Sequence, residues 1–182
     1  MKKILSVLML LLLSISIYAQ QNVTKFLGIP VDGSKTAMIQ KLKAKGFTYN
    51  TTTGFLEGVF NGEKVYILIQ TNKNKVWRIA VGNKTGRRDE GQIKIMYNKL
   101  FQQFEDNSNY TISKTSHKLS DSEDISYEIS VNNKQYAATF YQLPYEGAQN
   151  RIVWFTIVKE YGEYYIMIFY ENENNASHGE DL

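Results

Sequence analysis

Cysteine is missing from this 182-residue chain, and histidine and proline are scarce, with two of each. Without cysteine there are no disulfides, no thiolate metal sites and no lipid anchor on a cysteine behind an export signal. His117 and His178 both stand in polar stretches and show no ligand spacing, so no metal residue is predicted. No Gly-X-Ser-X-Gly, phosphate-binding glycine loop or dinucleotide fingerprint occurs, and the reading assigns no catalytic residue and no cofactor. Long apolar runs are also lacking. The longest, Ile4 to Ile17, is interrupted by Ser6, Ser14 and Ser16 and falls short of the roughly 20 residues a spanning helix needs.

That short run follows Lys2 and Lys3 and precedes Ala19, the three-part layout of a cleavable export signal over residues 1–19. The expectation is therefore an exported protein, periplasmic or extracellular, with no stable membrane insertion once the signal is cut. Loss of Lys2 and Lys3 takes the formal charge from +3 to +1, which leaves no electrostatic argument for nucleic acid or an anionic membrane. The signal layout, the Tyr18-Ala19-Gln20 junction and the lack of disulfides together point to a bacterial envelope.

What the chain does have is a helix-then-strands rhythm, stated twice. Ser34 is an N-cap for a helix to about Lys45, closed by Gly46, with Met38, Ile39 and Leu42 as its apolar stripe. Strand-like runs follow at 47–49, 55–60, 64–70 and 76–81, with a type I′ turn at Asn61-Gly62 and another tight connection at 72–74. Gly82 to Gly91 is the candidate boundary, and its Lys84, Arg87 and Arg88 read as a mobile basic linker. A second helix from about Asp89 or Gln92 to Glu105 carries Ile93, Met96, Tyr97, Leu100 and Phe104 at helical spacing. Strands are then predicted at 110–113, 125–131, 135–143, 152–161 and 164–171, with hairpins at Asn132-Asn133 and Gly162.

The fold class this predicts is α+β, with two tandem units, 20–86 and 87–171, each a helix packed on an antiparallel meander with its own sheet, and a disordered polar tail over 172–182. The lead-in Phe26-Leu27-Gly28-Ile29-Pro30 and the stretch Lys41-Leu42-Lys43-Ala44-Lys45-Gly46-Phe47, taken with that element order, resemble exported bacterial proteins of β-lactamase-inhibitor-protein-like architecture. The resemblance implies an arrangement of elements and carries no functional residue with it.

The last strands are apolar on both faces. Val153, Phe155, Ile157 and Tyr161 alternate with Ile152, Trp154 and Val158, and Tyr164, Ile166, Ile168 and Tyr170 alternate with Tyr165, Met167 and Phe169. One face must cover a helix. The leading expectation for the other is more core, through packing of the two units; the alternatives are an open aromatic surface for a protein and a small-ligand site. Trp154, Tyr141 and the loop residue Tyr145 are the candidate binding residues. The function expected is a non-enzymatic protein-binding module of the cell envelope, the alternatives being a self-associating assembly component, a small-ligand binder or a hydrolase built from dispersed carboxylates. Asp121, Glu123 and Asp124 read as a solvated loop rather than calcium ligands, since they lack the EF-hand spacing.

Overall fold

The computed structural model describes residues 22–84 and 86–177. The export signal expected over 1–19, His178 and the end of the polar tail lie outside the described residues. The fold is α+β. Strands β1 (Lys25–Phe26) and β2 (Ile29–Pro30) form a small hairpin and lead into helix α1 (Lys35–Ala44). Then come β3 (Thr48–Tyr49), β4 (Leu56–Phe60), β5 (Glu63–Asn72), β6 (Lys75–Asn83) and helix α2 (Glu90–Glu105). After these follow β7 (Tyr110–Ile112), helix α3 (Ile125–Val131), β8 (Ala137–Gln142), β9 (Arg151–Glu160) and β10 (Glu163–Asn172).

Both long helices start where side-chain caps dictate. The Ser34 hydroxyl accepts from the Ala37 N–H, and Asp89 forms a capping box with Gln92. Met38 and Leu42 of α1, and Ile93, Tyr97, Leu100, Phe101 and Phe104 of α2, are the buried stripes. At Asn61-Gly62 both residues have positive φ, 51° and 78°, the backbone a two-residue I′ hairpin requires.

The meanders do not form two sheets. Strands β3 to β10 make one eight-stranded antiparallel sheet in the order β3-β4-β5-β6-β10-β9-β8-β7, joined where β10 pairs with β6. Both long helices pack on the same face. Its residues, among them Ile67, Ile79, Val81, Ile168, Val153 and Phe155, belong to one continuous core with the helix stripes. Phe104 stacks on Phe140 at 4.9 Å and on Phe155 at 5.9 Å between ring centroids, and Tyr97 meets Phe155 edge-on at 4.9 Å. Burial pushes the Tyr97 hydroxyl pKa up to about 12.

Three local expectations are corrected. Residues 125–131 are a helix, α3, not a strand. Their two-residue alternation conceals an i, i+4 pair, Ile125 buried and Ile129 partly buried, while Tyr127 and Val131 face solvent. Asp124 accepts from the Tyr127 N–H and Glu90 from the Ile125 N–H, so the helix start is capped twice; Asn132 is its C-cap, not a hairpin residue. Second, the basic connector is tied down, with Lys84 paired to Glu57, Arg87 to Glu160 and Arg88 to Glu63. Third, the tail is ordered at its start. Asn172 ends β10, Glu173–Asn175 forms a 3₁₀ turn, and Asn175 Nδ2 donates to Asp32 Oδ1 at 2.8 Å and to the Val76 carbonyl at 2.9 Å.

Candidate functional site

Register determines which side chains share the face that the helices leave uncovered. Across the sheet, Leu68, Ala80, Phe169, Trp154 and Thr139 form one row. On one side of it lie Tyr66, Gly82, Met167 and Thr156, and on the other Gln70, Arg78, Glu171, Ile152, Tyr141 and Thr111. Cross-strand partners project to the same side, so these three rows form one surface. Among the described residues no helix or strand packs over it. Tyr66, Leu68, Tyr141, Ile152, Trp154, Met167 and Phe169 on it are half-buried, while Ala80 and Glu171 are buried. The expectation that the second face is further core is therefore overturned: both helices went to the same side of a merged sheet.

At the centre, Trp154 stacks on Phe169, with centroids 4.2 Å apart and planes 20° from parallel. The Arg78 guanidinium lies 4.0 Å from the Trp77 ring, 5.2 Å from Phe169 and 6.0 Å from Trp154. Simple alternation assigns Trp77 to the core set with Ile79. A bulge between Gln70 and Thr71 instead leaves Trp77 opposite no residue of β5 and brings its ring against Arg78. Gly82 serves the same surface differently. A Cβ there would lie 2.6 Å from Met167 Sδ and 2.8 Å from Tyr66 Cζ, so only a glycine lets those two side chains close over the strand.

Arg78 Nη2 stands 2.5 Å from Glu171 Oε1, whose side chain is 8% exposed against 24% for Arg78. Arg78 Nε and Glu171 Oε1 nonetheless lack a hydrogen-bond partner, so charge and ring stacking hold the pair more than aligned hydrogen bonds do. Removing one charge strands the other in a water-poor setting. Arg78→Ala is expected to lower unfolding free energy by about 2 kcal/mol, less than for a fully buried pair because the guanidinium is partly exposed. A urea double-mutant cycle with Glu171→Gln should recover part of that loss; strict additivity of the two changes would show that the pair is not coupled.

The predicted binding residues converge on this surface. Trp154 is at its centre. Tyr141 is in the neighbouring row beside Ile152, and Tyr145, 73% exposed, has its hydroxyl 3.4 Å from Thr111 Oγ1 at the rim. Trp77, Arg78, Glu171 and Phe169 complete the arrangement and were not among the predicted site residues. Tyr66 and Tyr165 lie at the opposite end, where burial first and Glu160 as well raise both hydroxyl pKa values. His117 is elsewhere, in an exposed loop with Nδ1 3.3 Å from the Thr115 carbonyl. Of the acidic cluster, Glu123 accepts from Tyr136 at 2.6 Å and pairs with Lys134, while Asp124 caps α3. Lys134 and then Tyr136 hold the Glu123 carboxyl below its usual pKa. In chemical terms the uncovered face is an aromatic platform with a stacked cation. In comparison with known proteins, the chain matches no family model, no curated protein and no solved structure.

Proposed function

We propose that the protein is an exported, non-enzymatic protein-binding module of the cell envelope that receives its partner on the uncovered face of the sheet. The observation carrying this reading is the Trp154–Phe169 stack beside Arg78, with no described element over it. Tryptophan, tyrosine and arginine are the residue types that dominate interface energetics, because each combines a large apolar contact with a directional polar tip. The edges of the sheet are poorer candidates. Strand β3 has two residues and β7 three, too short to template a long added strand. Export rests on the signal layout of residues 1–19. The tandem-unit reading belongs to the same proposal: α1 precedes the meander β4–β6 and α2 precedes β8–β10, so each helix-plus-meander turns its outer face to one shared surface.

Photo-crosslinking in the source cells tests this. A photoreactive residue at Leu68 or Thr139, on the face, should give a specific heterologous adduct, and one at exposed Gln40 on α1 should not. Trp154→Ala should weaken the complex by tenfold or more while circular dichroism shows the fold retained. Adducts from Gln40 alone would sink the proposal. Adducts only to a second copy of the chain would replace it with an assembly role, which concentration-dependent mass in solution would confirm.

A further inference from the structure

On the helix side, a trough runs beside α2, between that helix and the β4–β5 hairpin. At one end is a hollow of about 520 Å³ walled by Leu27, Val59, Phe60, Leu100 and Phe104, with Tyr170 at its base. Phe60, Asn61, Leu100 and Gln103 also line a smaller recess of about 80 Å³ that reaches Ile166 and Ile168. Glu63, Met96 and Lys99 are in turn shared with a third hollow of about 540 Å³ that includes Arg87, Arg88 and Ile95. The shared walls set the three end to end along α2. Measured along α2 from Gln92 to Phe104, twelve residue steps, the trough is roughly 18 Å long at 1.5 Å per residue.

Its two ends differ in chemistry. Among the described residues, eight large hydrophobic side chains are strongly exposed, and three of them, Leu27, Val59 and Ile95, line this trough. Apolar side chains held in water along adjoining hollows suit an apolar ligand. The other end is cationic. Arg87 is paired with Glu160 and Arg88 with Glu63, which itself lines the trough, whereas the Lys99 ammonium has neither ion pair nor hydrogen bond among the described residues. With both arginines matched by carboxylates, Lys99 is the uncommitted charge at this end.

We propose that this trough binds an anionic amphiphile, its tail along Leu100 and Phe60 toward Leu27 and Val59 and its acidic head at Lys99 and Arg88. A long-chain carboxylate is the simplest member of that class. The site is on the side of the sheet away from Trp154 and stands independently of the protein-binding reading. Lys99 supplies a point charge on a flexible stem, which suits a head group whose depth varies with tail length. Gln103 and Asn61, hydrogen-bonded to each other at 2.8 Å, bridge the trough and must part or tilt as a tail passes.

Calorimetric titration of the full chain with laurate and with dodecyltrimethylammonium, both below their micellar concentrations, tests charge and tail together. Laurate is expected to bind with at least a tenfold preference over the cationic probe. Lys99→Glu should abolish or reverse that preference, and Val59→Asp should weaken both probes several-fold; both positions are exposed, so neither change threatens the fold. Trp154→Ala should leave laurate binding unchanged. Absence of laurate binding, equal affinity for the two probes, or a preference that survives Lys99→Glu would each overturn the proposal.

Discussion

Phe155→Ala should cost about 3–5 kcal/mol of unfolding free energy, the largest single-residue effect expected in this molecule. Phe155 is fully buried in β9, and its ring meets Tyr97, Phe104 and Phe140, so it links α2 to the half of the sheet that joins β8 and β9. Truncation removes the area of one aromatic ring from the core and leaves a cavity between two neighbours stacked nearly parallel to it, at interplanar angles of 18° and 14°. Those neighbours are themselves pinned, Phe104 by Tyr110 and Phe140 by Phe101, and cannot collapse inward. A domain of this size has only about 5–15 kcal/mol in hand. The check is the urea midpoint with the slope unchanged; a loss under about 1 kcal/mol would mean that the aromatic cluster repacks freely.

Arg151→Ala follows at about 3–4 kcal/mol, by a different route. Arg151 is 3% exposed, and burial lowers its guanidinium pKa. Its Nε donates to the Gln142 carbonyl at 3.0 Å, Nη1 to Asn22 Oδ1 at 2.6 Å, and Nη2 to the Glu146 carbonyl at 2.9 Å and to that of Pro144. One side chain thereby ties the end of β8, the loop that presents Tyr145, and the first described residue of the chain into one unit. Hydrogen bonds to a charged donor are worth about 1.5–3 kcal/mol each, but water entering the vacated space will satisfy part of the loss, so the sum is well below four times that figure. The signature is local as well as global. Hydrogen exchange should accelerate across residues 142–150 and 22–26 before it changes in α2, and Arg151→Lys should restore little, because one ammonium cannot reach acceptors arranged around a planar fork. Uniform acceleration over the whole chain would refute this account.

Much of the fold was legible from local chemistry. Ser34, Asp89 and Gly46 mark the ends of helices, and Asn61-Gly62 and Gly162 mark hairpins, because caps and positive-φ turns are decided by a few adjacent residues. The merger of the two meanders was not. It depends on β10 pairing with β6 on one side and β9 on the other, and nothing within either meander encodes that choice. The site divides the same way. Alternation alone is enough to place Trp154 and Phe169 on a common side of their strands. It also places Arg78 with Tyr66 and Gln70 on the face opposite Ile67 and Ile69, but it is silent on the meeting of Arg78 with Glu171, which depends on the long-range register, and it misassigns Trp77, which a bulge displaces. At α3 local reading failed outright, because Ile125-Ser126-Tyr127-Glu128-Ile129 satisfies a two-residue period and an i, i+4 pair at once, and the caps decide between them.

Strand β10 also sets a timetable. Its register with β6 joins Gly82 to Met167 and Arg78 to Glu171, residues 85 and 93 positions apart, and Thr24 donates to the carbonyl of Glu171 across 147. Contacts of such span are the slowest to form, since each must close a long loop before it is rewarded. Until residues 163–172 arrive, the inner edges of β6 and β9 have no strand between them, and the first-made half of the molecule has nothing to close against. A chain wired in this way completes its sheet only after its last strand is free, and stays pliable for as long as that strand is still in transit through a ribosome.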